Sequence, residues 1–334
     1  MTEAPAVATP AAGGRAPAAS SLRDEGRTAL FAGLLCYVIW GFVPLAFQLI
    51  GRLGAGAWEI MAHRILWGLV AAGVFVLAAR QGPQVLRILR TPKTLAWLGL
   101  SAFLIALNWT LFVWAVNNGR LLETSLGYYI TPLINMAAGA LLFRERIGWI
   151  GVAAIALAAI GVGVQTAALG HLPWIALVLA CSFGAYGIVR KRVAADAQSG
   201  LFIECLLLLP PALIYTVWLE QAGGGHFFAG PVAMAWLIAS GPITAAPLAL
   251  FAWAARRIPL STMGFLQFLA PTISFMIGVA QGEPFTPLRA LSFGFIWIGA
   301  AVFLYGAWRK TRRLRVRPAR FRQSRERPES GPAK

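Results

Sequence analysis

The chain consists of apolar runs of roughly 20 residues that are separated by short polar segments. A helix of that length crosses the ~30 Å hydrocarbon core of a bilayer. Transmembrane barrel strands would instead show short stretches of alternating polarity. The pattern predicts an all-α polytopic membrane protein with ten spans, at residues 28–50, 56–79, 94–116, 120–143, 147–168, 173–190, 199–219, 231–254, 259–281 and 286–308.

Composition strengthens this interpretation. The chain has 334 residues, of which 58% are hydrophobic and 12% charged. Soluble domains are about 45–50% apolar and about 25% charged. Residues 1–27 are rich in Ala, Pro and Gly, and residues 309–334 are basic, which predicts two disordered tails. The three cysteines fall inside predicted spans, so no disulfide framework is expected.

The net charge of +17 raises the question of a nucleic-acid partner, but the distribution of the charge favours lipid. The two tails and the even-numbered loops together hold 25 of the 29 Lys and Arg residues, and the odd-numbered loops hold three. Positive loops stay in the cytoplasm. We therefore expect both termini to be cytoplasmic, with the basic tail beside anionic headgroups of the bilayer and no nucleic-acid partner.

An internal repeat divides the chain. Residues 112–121 read "FVWAVNNGRL" and residues 251–260 read "FAWAARRIPL", and identities continue at the same offset of 139 positions. After one residue drops out, Glu145 aligns with Glu283. The repeat predicts two halves of five spans each, at residues 28–168 and 173–308.

The two halves are expected to have opposite orientations, because five is an odd number of crossings. Asn117 and Asn118 at an outer boundary become Arg256 and Arg257 at a cytoplasmic one, as the positive-inside rule requires. Inverted repeats are typical of secondary transporters, whose site lies near the midplane where the halves meet. We infer a carrier that works by alternating access.

Several segments resemble a known family. "LLETSLGYYITPLINMAAGALLFRERIGWIGVAAIALAAIGV" and "QGEPFTPLRALSFGFIWIGAAV" resemble the EamA-type repeats of the drug/metabolite transporter (DMT) superfamily. "AHRILW", "NWTLFVWAVNN", "ETSLGYYITPLIN", "YGIVRK" and "GLFIECLLLLP" are similar to its RarD subgroup. The resemblance covers residues 28–308. It implies ten helices, two EamA units, permease activity, a bacterial inner membrane and a cavity between spans 1, 3, 4, 6, 8 and 9. It implies no defined substrate, although the family label "chloramphenicol-sensitive" points to drug export.

Two prolines at matched places of spans 4 and 9 indicate a binding site, because interrupted helices in corresponding positions mark transporter sites. Helical spacing from these prolines gives two polar stripes, which tightly packed kinked helices would also explain. The remaining candidates for the cavity are polar or aromatic side chains of spans 1, 3 and 6. The predicted cavity residues are Tyr128, Pro132, Asn135, Gln267, Pro271, Ser274, Asn108, Trp109, Tyr37 and Tyr186.

Ionisable residues inside spans are costly and mark functional paths. Glu59, His63 and Arg64 lie in span 2, and Glu123 begins span 4 at a height comparable to that of Glu59. We expect Arg64 to pair with one of the two carboxylates, either as a gating contact or as a permanent structural pair.

Glu204 is expected near the start of span 7. A carboxylate in the first turn of a helix favours the helix dipole, which is a structural explanation. The alternative is a protonatable group that couples transport to a proton gradient.

Other classes of protein find little support. No phosphate-binding loop, redox-cofactor motif or metal-ligand spacing is present in the sequence. We therefore expect a secondary transporter for a small organic metabolite or drug, with no cofactor and no enzymatic activity. Export follows from family analogy alone. Uptake, a membrane-embedded sensor or enzyme, the coupling ion and the oligomeric state remain open at this stage.

Overall fold

The computed structural model describes residues 19–143, 148–255, 257–258 and 260–316. Glu145 and Arg256 of the repeat lie outside these residues. All regular structure in the described part of the chain is helical. Its twelve helices are α1 (Ala19–Arg52), α2 (Ala57–Ala78), α3 (Gly82–Leu89), α4 (Pro92–Asn117), α5 (Leu121–Phe143), α6 (Trp149–Leu169), α7 (Trp174–Arg192), α8 (Ala197–Gln221), α9 (Pro231–Ala255), α10 (Leu260–Leu266), α11 (Leu269–Ala280) and α12 (Pro287–Val316).

The helices confirm an all-α membrane protein. In the part of the chain that is described, seven of them (α1, α2, α4, α6, α8, α9 and α12) are long and apolar enough to cross a bilayer. Large apolar side chains face outward, among them Trp149 at 80%, Leu77 at 76% and Ile214 at 70% exposure. Such exposure suits contact with lipid and would be unfavourable in water.

The matched prolines affect their helices differently. The ninth predicted span is broken into α10 and α11 at Gln267 and Phe268. Pro271 explains the break, because its ring nitrogen cannot donate to the carbonyl of Gln267. By contrast, α5 continues past Pro132 without interruption. The prediction of two interrupted helices therefore holds for the second half only.

The ends of the chain and the second loop differ from expectation. Helix α1 begins at Ala19, inside the segment predicted to be disordered, and α12 extends to Val316. Residues 1–18 and 317–334 lie outside the described residues. The short helix α3 was not predicted. Its Val85 and Ile88 are buried against Leu98 of α4 and Ile203 of α8.

Helix packing follows a regular scheme. The most extensive contacts are those of α6 with α12 and α2 with α8, followed by α2 with α9, α1 with α9, α5 with α7, α4 with α7, α1 with α11, α5 with α11, α2 with α4 and α4 with α8. We call the end of the bundle where α1 ends and α2 begins the α1–α2 end. The opposite end, where α2 ends and α8 begins, is the α2–α8 end.

We predict that Gly241→Ala lowers the thermal midpoint of the purified protein. A Cβ at Gly241 would clash with the backbone carbonyl carbon of Trp67, so α2 and α9 would have to separate. Overpacking of this kind costs about 1–3 kcal/mol. Gly163→Ala on α6 is the matched control, because nothing lies within 4 Å of its added Cβ. Equal midpoints for the two variants in detergent would contradict the prediction.

Candidate functional site

Arg64 lies inside the bundle, at the eighth position of α2. It is 7% exposed, and its guanidinium carbon lies 3.9 Å from the ring centroid of Trp109 and 5.1 Å from that of Phe47. Its Nε and Nη1 atoms have no hydrogen-bond partner among the described residues. Burial of an ion costs several kcal/mol, and a desolvated cation–π contact returns about 2 kcal/mol. The arrangement therefore leaves the charge undercompensated.

The predicted ion pair of Arg64 is not present in this structure. Glu59 instead accepts hydrogen bonds from the backbone nitrogen of His226 at 2.6 Å and pairs with the Nδ1 atom of its ring at 2.9 Å. Glu123 pairs with Arg120, with 3.3 Å between Oε1 and Nη1. The α8–α9 loop thus engages both oxygens of Glu59, and the residue before α5 engages one oxygen of Glu123, whose Oε2 has no partner among the described residues. Sequence spacing could not reveal either contact.

His63 lies one turn of α2 beyond Glu59 and is buried. Its ring stacks on Phe227 at 4.9 Å with an interplanar angle of 7°, and Phe227 also stacks on Trp67 at 6.3 Å. Neither ring nitrogen of His63 has a partner among the described residues. The α8–α9 loop therefore covers this face of α2.

Asn108 organises a polar group in the middle of the bundle. It is fully buried, and its Nδ2 donates to the carbonyl of Leu179 at 2.8 Å and to Ser182 Oγ at 3.0 Å. The hydroxyl of Tyr128 donates to Asn108 Oδ1 at 3.1 Å. These bonds join α4, α5 and α7, and they satisfy an amide that would be costly if unpaired.

The residues of the two proline stripes differ in their exposure. On α5, Tyr128 and Pro132 are half-buried and Asn135 is exposed. On the α10–α11 segment, Gln267 is half-buried, whereas Pro271 and Ser274 are buried.

Two of the predicted cavity residues, Ser274 on α11 and Tyr37 on α1, make packing contacts. Ser274 Oγ donates to the carbonyl of Gly41 at 3.2 Å. Tyr37 is buried edge-on against Trp40, with 5.5 Å between the ring centroids. Tyr37 also lies edge-on to Phe251 of α9, with 6.4 Å between the ring centroids. These contacts hold α1 against α11 and α9, as the packing alternative expects.

Glu204 forms a second buried polar group near the α2–α8 end. It accepts from Ser101 Oγ at 2.5 Å and from the hydroxyl of Tyr186 at 3.4 Å, and Arg190 Nη1 lies 3.6 Å from its Oε1. Because α8 begins at Ala197, Glu204 lies two turns inside the helix. The explanation by the helix dipole is therefore wrong.

A row of aromatic rings connects the two charged groups. Its centroid distances are 6.4 Å from Phe47 to Phe112, 5.7 Å from Phe112 to Tyr128, 6.0 Å from Tyr128 to Phe183 and 5.9 Å from Phe183 to Tyr186. We call these five residues the aromatic row. It begins beside Arg64 and ends at Glu204.

Sequence reasoning found only some of these residues. Tyr128 and Tyr186 of the aromatic row were predicted, and Phe47, Phe112 and Phe183 were missed. Phenylalanines on separate apolar helices carry no sequence signal of a shared surface. Ser101 and Arg190 were missed for the same reason, since their polar partner Glu204 is on another helix.

Comparison with known proteins decides the family. The chain matches the EamA-like transporter family over residues 27–166. Protein RarD of Escherichia coli is 40% identical over 285 residues, which are 85% of this chain and 96% of that protein. The chain belongs to the RarD subgroup of the EamA-type transporters. A second relative, an uncharacterized transporter of Pseudomonas aeruginosa, is 43% identical and covers 84% of this chain and 95% of its own length.

A further relative and a solved structure are also similar to the chain. A Pseudomonas aeruginosa protein named chloramphenicol-sensitive protein RarD is 32% identical to this RarD-type chain, over 78% of the chain and 88% of that protein. One solved crystal structure covers 85% of the chain and 98% of its own, with a TM-score of 0.56 and 20% identity. At that identity the likeness supports the fold alone.

The α1–α2 end of this RarD-type transporter is joined by polar contacts. Gln48 and Gln281 exchange amide hydrogen bonds at 2.8 Å. Glu283, in the loop before α12, accepts from the backbone nitrogens of Leu121 and Leu122 at 2.5 and 2.8 Å and so caps α5. Burial raises the pKa of the Glu283 carboxyl, against the effect of the two amide donors. Helices α1, α5 and α11 are thereby linked at this end.

We predict that Asn108→Ala destabilises the protein more than Tyr128→Phe does. The alanine variant leaves the Tyr128 hydroxyl and the Leu179 carbonyl without the partner described above, which costs about 1–3 kcal/mol. The phenylalanine variant removes one bond and keeps two. Each kcal/mol corresponds to roughly 2–4 °C in Tm for chains of 150–250 residues. A larger loss of Tm for Tyr128→Phe in detergent would contradict this assignment.

Proposed function

We propose that the protein is a secondary active transporter that moves a small organic metabolite or drug across the bacterial inner membrane by alternating access. One observation carries the proposal: the aromatic row lies between Arg64 and Glu204 in the middle of the bundle. Rings with one charged group at each end suit a small amphipathic solute near the midplane, where carriers bind their substrates.

The proposed architecture is ten crossings in two inverted halves, with α10 and α11 together forming the ninth. The packing scheme supports it. The counterparts in the two halves are α1 and α7, α2 and α8, α4 and α9, α5 and α10–α11, and α6 and α12. The contact of α1 with α9 therefore corresponds to that of α7 with α4. The contact of α5 with α7 corresponds to that of α11 with α1. The pairs α2 with α8 and α6 with α12 map onto themselves.

A local contact supports the same repeat. Asn118 donates to the carbonyl of Trp114 at 2.8 Å, and Arg257 donates to the carbonyl of Trp253 at 3.2 Å. The two pairs are 139 positions apart, as the sequence repeat requires.

We further propose that both termini are cytoplasmic, which makes the α1–α2 end the outer one. The excess of Lys and Arg at the α2–α8 end and in the tails supports this orientation. The polar contacts at the α1–α2 end then close the outer side. Asn135 is exposed about 21 Å along α5 from that end. The structure therefore fits a state that is closed to the outside.

Glu204 is the proposed proton-coupling residue. It is 1% exposed and shares its carboxylate between Ser101, Tyr186 and Arg190. A buried carboxylate that changes partners between states is a typical proton carrier in transporters. This role requires no resident cofactor.

The alternative of an enzyme or sensor receives less support from the geometry. Glu59 binds His226 and Glu123 binds Arg120, so the ionisable residues of span 2 and span 4 do not assemble into one cluster. No group of three metal-ligating side chains occurs in the described part of the chain. Uptake remains the second candidate for the direction, because the contacts above serve either direction.

The function is tested by comparing solutes inside and outside cells that express the protein or carry an empty vector. We expect at least one small organic solute to be enriched outside only when the protein is present. Depletion of an external solute would establish uptake instead. If no solute in a broad metabolite and drug panel differs, the proposal of transport is wrong.

We predict that Glu204→Gln uncouples transport from the proton gradient. In proteoliposomes loaded with a transported solute, the variant keeps exchange of labelled for unlabelled solute, because exchange needs no net proton movement. Accumulation driven by a pH gradient is lost. Glu220→Gln near the other end of α8 serves as the control and responds like the wild type. Gradient-driven accumulation by Glu204→Gln would remove Glu204 from the coupling step.

A further inference from the structure

Arg64 has no counter-ion in the described part of the protein. The six carboxylates whose side chains are described all have other partners. Glu59 binds His226, Glu123 binds Arg120, and Glu204 binds Ser101 and Arg190. Asp196 accepts from Gln81, Glu220 from Phe227, and Glu283 from Leu121 and Leu122.

The guanidinium of Arg64 stays positively charged, since arginine remains protonated in proteins. A buried polar side chain of a native protein normally has its hydrogen bonds made. Arg64 violates this rule at both Nε and Nη1. The guanidinium carries its N–H donors in parallel pairs, and the end-on pair, to which the unpartnered Nη1 belongs together with Nη2, suits the two oxygens of one carboxylate. The unpartnered donors of Arg64 therefore favour an anionic ligand.

The surroundings describe the rest of such a ligand. The guanidinium of Arg64 lies over the ring of Trp109 and near Phe47, where the aromatic row begins. Stacking leaves the edge of the guanidinium for hydrogen bonds. The rings provide apolar surface next to that edge. A solute with one anionic group and an apolar or aromatic body fits both features.

We propose that Arg64 binds the anionic group of the transported solute, so that the substrate class is organic monoanions, with carboxylates the best match to the fork of donors. This inference rests on the proposed function. Arg190, the other arginine near the aromatic row, is already engaged by Glu204. A polyanion would find only one uncompensated positive charge among the described side chains of the row and its neighbours.

Binding is tested with two matched pairs of probes, phenylacetate with phenylacetamide and indole-3-acetate with indole-3-acetamide, which differ mainly in charge. The purified full chain in nanodiscs is titrated by calorimetry. We expect the wild type to bind the carboxylates at least about tenfold more tightly than the amides. Arg64→Lys should weaken carboxylate binding, because a point charge replaces the fork, and Arg64→Gln should abolish the preference. Arg87→Gln, on the exposed surface of α3, should retain it.

A second measurement does not depend on the choice of probe. Arg64→Met keeps an unbranched side chain and removes the buried charge. If the charge awaits a ligand, the variant without ligand has a higher Tm than the wild type. If Arg64 instead stabilises the fold, the Tm falls. A lower Tm together with equal binding of carboxylates and amides by the wild type would overturn the inference.

The outcomes separate this inference from transport itself. Export of uncharged solutes only, with no preference for carboxylates, would leave a transporter and refute the anionic substrate. Binding of carboxylates through Arg64 without movement of any solute would support the binding site and refute transport.

Discussion

A polar group without a partner is expensive in hydrocarbon, and this constraint governs the arrangement of the bundle. Hydroxyls on the spans donate to the carbonyl four residues earlier, as Thr131 does to Gly127 and Thr244 does to Ser240. Asn108 and Glu204 gather partners from neighbouring helices. Arg64 differs from both residues, because it is also buried but its Nε and Nη1 atoms have no hydrogen-bond partner among the described residues.

The two halves of the proposed repeat share their packing scheme but not their charges. Arg64 and Glu204 are both eighth in their helices, α2 and α8, and these helices pack against each other. In the proposed repeat, this position carries a cation in the first half and an anion in the second, so the two ends of the bundle differ in chemistry.

Much of the fold could be predicted, because apolar run length and helical rise together determine where a chain crosses a bilayer. The location of Arg64, Asn108 and Glu204 inside spans followed from the same argument. Their partners could not be predicted. His226 comes from a loop 167 residues after Glu59, and Ser101 lies 103 residues before Glu204.

The sequence also could not predict where individual helices break. Pro132 and Pro271 look equivalent, but only the second half breaks. A proline removes one hydrogen bond wherever it lies, and tertiary packing decides whether the helix bends, breaks or continues. Helix α3 was missed because its eight residues are too short for a spanning signal.

The reciprocal contact of Gln48 and Gln281 has a consequence for how the α1–α2 end, the proposed outer side, responds to its surroundings. Each amide both donates and accepts, so the contact carries no net charge. Dissolved ions screen the nearby pair of Arg120 and Glu123, whose arginine is 40% exposed, but they leave a neutral amide pair almost unaffected. In the proposed cycle, changes in external ionic strength therefore alter only part of the barrier to opening. The contribution of the amide pair to this barrier stays nearly the same in dilute and in saline surroundings.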